Sequence, residues 1–527
     1  MERTPAATIR WLFSSKAGPS DRLRPRWLFL RGLGLIYFSA FYSLIFQIKG
    51  LIGPEGIIPA DEFLRQLSKL GTARFWYAPT LLWISGSSHM LAAICWIGMI
   101  ASVLLVLNFW PRGMLVVCFA CFLSFVSAAQ DFSGYQSDGM LLEAGFISLF
   151  FAPPGFRPGF GDGYPPSRAS LFLLQYEWFR IYFESGMVKL ASGEPQWRNF
   201  TAMDEYYQNG PLPTWIGWYA QHLPHRAHAF ATGATLVLEL GLVWMLFMPR
   251  RWRILCFFIV TLWQIPVIVT ANYTFLNYLV LLLGVLLLDD GFLQRWLPKR
   301  LTGRANLPTQ VTQPVQRRGF SSLHAIKLAI PSVVLTWIFY ATTVQMLWIP
   351  LGRLPLPTSP IVALEPFRIA NRYGLFAVMT RGRYEIEFQG SDDGESWSTY
   401  PFRYKPQDPA KPPGIYAPYQ PRFDWNLWFA SLGHWRDNMF VVSTEERLLA
   451  NSPDVLALFA SNPFPTGPPK FVRAVIWQYW FTSLYQKRAT GMWWRRENLG
   501  LYAPALTRMP DGKLGVVEWP PPPMPKP

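Results

Sequence analysis

Nine apolar runs, each near the length of a membrane-crossing helix, constrain this chain more than any other feature. A bilayer core takes about 20 apolar residues in a helix. The runs fall at 27–48, 88–109, 113–130, 138–153, 170–191, 230–248, 252–271, 275–290 and 329–349, with 138–153 and 275–290 short. Stretch 75–86 is amphipathic and reads as an interfacial segment or an extension of the second run. Lipid offers no hydrogen bonds to peptide groups, so such runs fold as helices. The expected fold is a polytopic α-helical membrane domain of about nine transmembrane helices, followed by a C-terminal, mainly antiparallel β, sandwich-like soluble domain with short helices.

Charge sets the expected orientation. The chain carries 48 Lys+Arg against 32 Asp+Glu, a net +16. Much of the excess lies in loops between apolar runs, which favours membrane lipids over nucleic acid as the partner. Arg3, Arg10, Lys16, Arg22, Arg24 and Arg26 precede the first run, and Arg112, Arg157, Arg168, Arg250, Arg251 and Arg253 fall in loops of the same parity. The positive-inside bias then predicts a cytoplasmic N-terminal segment (1–26), a transmembrane domain (27–350), an extracytoplasmic domain (351–505) and a Pro-rich tail (506–527). Loop 192–229 falls on the lumenal or periplasmic side and linker 291–328 on the cytoplasmic side. The host membrane is the endoplasmic reticulum in a eukaryote or the inner membrane in a bacterium.

The four cysteines, Cys95, Cys118, Cys121 and Cys256, all sit in apolar runs, so no disulfide framework staples the outer domain. Cys118 and Cys121 form a CxxC inside apolar sequence, where packing explains them better than redox chemistry. In the outer domain YEIEF alternates, with Tyr384, Ile386 and Phe388 on one face and Glu385 and Glu387 on the other. Asp393-Gly394 marks a hairpin turn. Segments 424–432, 451–461 and 468–482 read as helices, 406–421 as a loop, and the closing EWPPPPMPKP as extended.

Charges inside apolar runs are the first functional candidates, because a buried ionisable group in a membrane needs a partner or a cavity. Glu177, Arg180 and Glu184 share one face of a helix by their spacing of three and four, and Lys189 follows. Glu143 and Glu239 are deep acids that need cations, and at least one acid is expected beside Arg180. Asp138 is read as a cap on the fourth run. In loop 192–229, Trp197, Arg198, Asp204 and Tyr207 combine aromatics with charge, as binding patches do. His222, His225 and His228 have helical spacing, but Pro224 interrupts them, and no metal is assigned. In the outer domain Gln420, Arg422, Asp424, Trp425 and Trp428 form the most distinctive block. Asn199 and Asn272 open glycosylation sequons.

Several blocks resemble the lipase maturation factor family. They are MLLEAGFISLFFAP (140–153), RIYFESGMVKLASGEPQWRNFTAMDEYYQNGPLP (180–213), NYTFLNYL (272–279), RYEIEFQGSDDGESW, APYQPRFDWNLWFASLG and WWRRENLGLYAPAL. The resemblance runs from the first apolar run to about residue 505. It implies a multi-span protein whose lumenal C-terminal domain contacts newly made homodimeric lipases, such as lipoprotein lipase, as they fold and assemble. The chain departs from the family in two places: YYQNGP (206–211) replaces HYETQP, and Tyr419 stands where the family has a histidine.

The sequence has no GxSxG, HExxH or P-loop. The expectation is a non-enzymatic helper, without cofactor, for an exported lipase-like client. Trp197, Arg198, Asp204, Tyr207, Gln420, Arg422, Asp424, Trp425 and Trp428 supply the expected contacts. The alternative is a membrane-embedded enzyme or lipid binder, whose pocket is lined by Glu143, Glu177, Arg180, Glu184, Lys189 and Glu239.

Overall fold

A computed structural model describes residues 4–295 and 322–521, with side chains from 328 onward in the second part. The expected linker 291–328 lies largely outside the described residues. The helices are α1 (Pro5–Phe13), α2 (Leu23–Ile45), α3 (Ser88–Val106), α4 (Pro111–Ala128), α5 (Gln136–Phe151), α6 (Arg168–Ala191), α7 (Ala202–Asn209), α8 (His225–Leu240), α9 (Arg250–Ile259), α10 (Gln264–Thr270), α11 (Leu276–Gly284) and α12 (Ser322–Leu351). Local chemistry sets their starts. Ser87 accepts a hydrogen bond from the Met90 N–H to cap α3, Ser167 does the same for α6 from Ser170, and Pro111 opens α4. α2 and α3 approach closely at Gly98, where a Cβ would sit 2.4 Å from the Phe41 ring.

Among the described residues, six helices are long and apolar enough to cross a membrane: Ser20–Ile45, Ser88–Val106, Pro111–Ala128, His225–Phe247, Arg250–Thr270 and Leu328–Leu351. That is fewer than the nine runs of the sequence. The other three runs are also helical, but α5 and α11 are short and α6 carries charges. The physical reason is position. α6 packs against α1, α5, α8, α11 and α12, and every residue of α5 except Gln136, Phe146, Leu149 and Phe150 is buried. A helix enclosed by protein needs neither full span length nor a lipid-compatible surface.

The outer domain is one antiparallel sheet rather than a sandwich. Its strands are β1 (Arg383–Ser391), β2 (Ser398–Thr399), β3 (Phe471–Phe481), β4 (Trp494–Leu501), β5 (Ala505–Arg508) and β6 (Leu514–Glu518), ordered β2-β1-β3-β5-β6 with β4 also on β3. Helices α13 (Arg422–Leu432) and α14 (Phe440–Leu449) cover the face carrying Ile386, Phe388, Val472 and Ala474. The opposite face, with Arg383, Glu385 and Glu387, is buried by the segment around 405–407: Lys405 Nζ lies 2.9 Å from Glu385, and Gln407 Nε2 donates to Glu387 at 3.2 Å. Segment 468–482, expected as helix, is the central strand β3. Residues 505–518, expected largely as a Pro-rich tail, form the last two strands.

This domain is clamped to one end of the helical bundle. Arg383 donates to the carbonyls of Gln208 and Pro211 at 3.1 and 3.0 Å. Asn272 Nδ2 donates to Gly414 O at 3.0 Å, while its Oδ1 accepts from Tyr416 and Ala417 at 2.6 and 3.0 Å. Gln47 Nε2 donates to Gln420 O at 2.9 Å, and its Oε1 accepts from Arg422 N at 2.7 Å. The basic loops gather at the other end, where Arg26 donates to Phe160 O at 2.7 Å and Arg112 to Ala152 O at 2.8 Å. The 23 residues of α2 link the two ends, a rise of roughly 34 Å that matches a bilayer core.

Candidate functional site

The charged face of α6 is locked by a strap from the outer domain. Arg180 pairs with Glu143 of α5, lies 3.8 Å from Glu184, and donates to the Asn371 carbonyl at 2.8 Å. Asn371 donates to Glu143 Oε2 through its backbone N–H at 2.8 Å and its side chain at 3.1 Å. The Tyr373 N–H donates to Glu184 Oε2 at 2.6 Å. Glu177, wholly buried one turn before Arg180, has neither carboxylate oxygen hydrogen-bonded. Three carboxyls therefore surround one guanidinium in the protein interior. Through these bonds the cluster joins α5, α6 and segment 371–373.

Lys189 and Glu239 form a second, separate site. Lys189 Nζ donates to both oxygens of Glu239 at 2.6 Å and to Ser185 Oγ at 2.8 Å, and lies 4.9 Å from the Trp197 ring centroid. The pair borders a cavity of about 130 Å³ enclosed by α6, α7, α8, α10, α11 and segment 373–376. Glu143, Glu177, Arg180 and Glu184 do not line it. The six charged residues expected around one pocket are thus split between the Arg180 cluster and the Lys189–Glu239 pair that lines the cavity.

The residues expected to meet a client lie mostly inside the protein. Arg422 makes a two-pronged ion pair with Asp138 at 2.7 and 2.8 Å, both side chains being wholly buried. Asp138 is therefore more than a cap: it anchors the outer domain. Gln420, Trp425 and Trp428 are buried, with Trp425 against Tyr135 and Tyr273. Asp424 accepts from the backbone of Tyr404 and Lys405 at 3.2 and 3.0 Å, and burial pushes its carboxyl up to about 6. Trp197 is buried and donates to Phe376 O at 2.9 Å, and Tyr207 is half-buried on Tyr206. Asp204 is held by His228 and His225 at 2.8 and 2.9 Å, while His222 turns to backbone carbonyls. Arg198 alone of this group is exposed. Composition favours aromatics and Arg at partner surfaces, and the same types here build the interface between the protein's own two halves.

Sequence reasoning missed the polar anchors Gln47, Asn272, Asn371 and Arg383. Asn272 opens a sequon, yet it is buried and hydrogen-bonded through both side-chain polar atoms. Exposed apolar side chains of the outer domain include two separate groups: Tyr485, 80% exposed, with Leu484 and Met492 where β3 ends beside the bundle, and Trp519, 61% exposed, with Val516 and Val517 on edge strand β6.

A helical membrane bundle with buried charges, clasped by an antiparallel sheet domain at one end, defines the class as a multi-helix integral membrane protein with a docked extramembrane domain. Residues 24–295 match the family model described as the lipase maturation factor transmembrane domain, and residues 369–504 match the lipase maturation factor C-terminal domain. The chain is 33% identical to lipase maturation factor 2 of Gallus gallus, covering 92% of this chain and 81% of that protein. It is 30% identical to lipase maturation factor 1 of Bos taurus, covering 94% and 91%. No solved structure matches. The chain belongs to the lipase maturation factor family.

Proposed function

We propose that this protein assists the folding or assembly of exported client proteins, lipases being the class named by its relatives. The observation that carries the reading is the ordered match of both halves to the family's two domains. The clamped architecture supports it. A sheet domain held rigidly at the membrane offers a fixed platform, and it carries exposed apolar side chains in two patches, Leu484 to Met492 beside the bundle and Leu514 to Trp519 on edge strand β6. Such patches fit the exposed apolar surface of an unfinished client. We place the client surface on these patches, and the buried Gln420–Trp428 block in the platform's foundation. The platform faces the lumen or periplasm, a reading supported by the Arg-rich loops gathered at the opposite end of the bundle.

A photocrosslinking residue at Tyr485 or Trp519, in cells secreting a lipase, tests this. The expected result is capture of the newly made lipase at these positions and none at Trp425. Absence of capture at both positions, with lipase secretion unaffected by loss of the protein, would overturn the reading.

A further inference from the structure

Arg31, Arg180 and Lys189 are cations set within apolar runs. Arg180 and Lys189 meet acids from neighbouring helices. Arg31 on α2 meets no acid among the described residues, and outside them the chain has a single acid, Glu2. A guanidinium in a bilayer span is costly unless it reaches water or an anion.

The place of Arg31 narrows what it can reach. It shares a helical stripe of α2 with Leu35, Phe38 and Tyr42. Leu35 is 59% exposed and Tyr42 44%. α2 belongs to the candidate span Ser20–Ile45, so an exposed apolar stripe on it meets acyl chains. The Arg31 side chain is half-buried and turns back towards the basic end of the bundle. Its Nη1 donates to the Trp27 carbonyl at 2.9 Å, and its guanidinium lies 3.6 Å from the Trp27 ring centroid. This carries the charge one turn out of the span, as a snorkelling arginine does. Trp27 in turn meets Phe160 at 5.6 Å. The loop that holds Phe160 also exposes Phe156 and Tyr164, and Trp110 stacks on Phe156. Such an aromatic belt marks the membrane–water interface, the level of lipid phosphates. The remaining N–H groups of Arg31 take no partner among the described residues, and none of them is sealed from its surroundings.

The open fork of a guanidinium fits two oxygens of a phosphate. The field around it selects among phospholipids. Arg26 and Arg112, at the same end, hold only backbone carbonyls. A choline or ethanolamine head would add a cation to this basic end, whereas a net-anionic head is drawn to it. We infer that Arg31, with Trp27 as its shelf, binds the phosphate of an anionic phospholipid in the leaflet around the basic end of the bundle, an acyl chain lying along Leu35. The site does not depend on the client reading, and either can fail while the other stands.

The test is native mass spectrometry of the full-length protein in detergent with equimolar phosphatidylglycerol and phosphatidylcholine. The expected result is retention of phosphatidylglycerol and loss of phosphatidylcholine on activation. Arg31→Leu should weaken that retention roughly tenfold, the size of one charge-assisted contact. Arg31→Lys keeps the charge without the fork and should lose less. Arg157→Gln removes an exposed arginine at the same end and should retain the lipid as the unaltered protein does. Inorganic phosphate in excess should not displace it. Equal retention of the two lipids, release by inorganic phosphate, unchanged retention in Arg31→Leu, or an equal loss in Arg157→Gln would overturn the proposal. Should Arg31→Leu fail to fold, Arg31→Lys and the lipid competition on the unaltered protein decide.

Discussion

Arg422 and Asp138 show what a single buried charge costs when its partner leaves. Both are fully enclosed and joined by two hydrogen bonds. Arg422→Met should destabilise the protein by about 3–5 kcal/mol, because an unpaired carboxylate remains. The double variant with Asp138→Leu should recover most of that loss. Thermal unfolding in detergent measures both. Asp424 makes a different prediction. Its folded carboxyl titrates near 6, above its unfolded value of 3.8, so the folded state keeps the proton longer. Stability from this group is complete below pH 4 and is lost as pH rises through 6, a span on the order of 3 kcal/mol. Denaturant titrations between pH 4 and 7 should show that slope, and Asp424→Asn should flatten it. Glu445, buried on α14 and also pushed upward by burial, adds a slope of the same sign. The charged positions on α6 were legible because charge in an apolar run is conspicuous. Their partners were not, since Asn371 lies 191 residues from Arg180 and no local pattern spans that distance.

At the scale of elements, the strap and the central strand carry most of the risk. Asn371→Leu removes the side-chain donor to Glu143 and should cost about 1–3 kcal/mol. Limited proteolysis of segment 352–382 should report the loosening as faster cleavage. Val475→Pro in β3, opposite Glu387 of β1, removes a ladder donor between paired strands and should cost about 3 kcal/mol or more, read as loss of the folded outer domain. The identity of β3 was hidden for a physical reason. FVRAVIWQYWF has apolar residues at both parities because helices cover one of its faces and segments of the chain cover the other, so its period of two is blurred. β1 was legible because its alternation puts Glu385 and Glu387 opposite Ile386 and Phe388, even though both faces are buried. α5, α6 and α11 are legible as helices in the apolar runs, but enclosure by neighbours, which hydropathy cannot report, sets them apart from the six candidate spans.

For the whole molecule, the two ends of the bundle make opposite predictions under one-sided labelling. In a variant whose four buried cysteines are replaced by alanine or serine, a cysteine at Trp519 should react from the lumenal or periplasmic face only. One at Arg157 should react from the cytosolic face only. Reversed reactivity would invert the orientation without altering the fold. The clasp between the halves has a temporal side as well. Asp138 is joined to a guanidinium that lies 284 residues later in the chain, and a ribosome adding 5–20 residues per second needs roughly 15–60 s to make that stretch. During that interval the nascent bundle holds Asp138 without its guanidinium partner, and a chain ending near residue 351 would never leave that state. The protein is itself vulnerable until its last third emerges, and quality-control proteases that recognise intramembrane charge should meet it in that window.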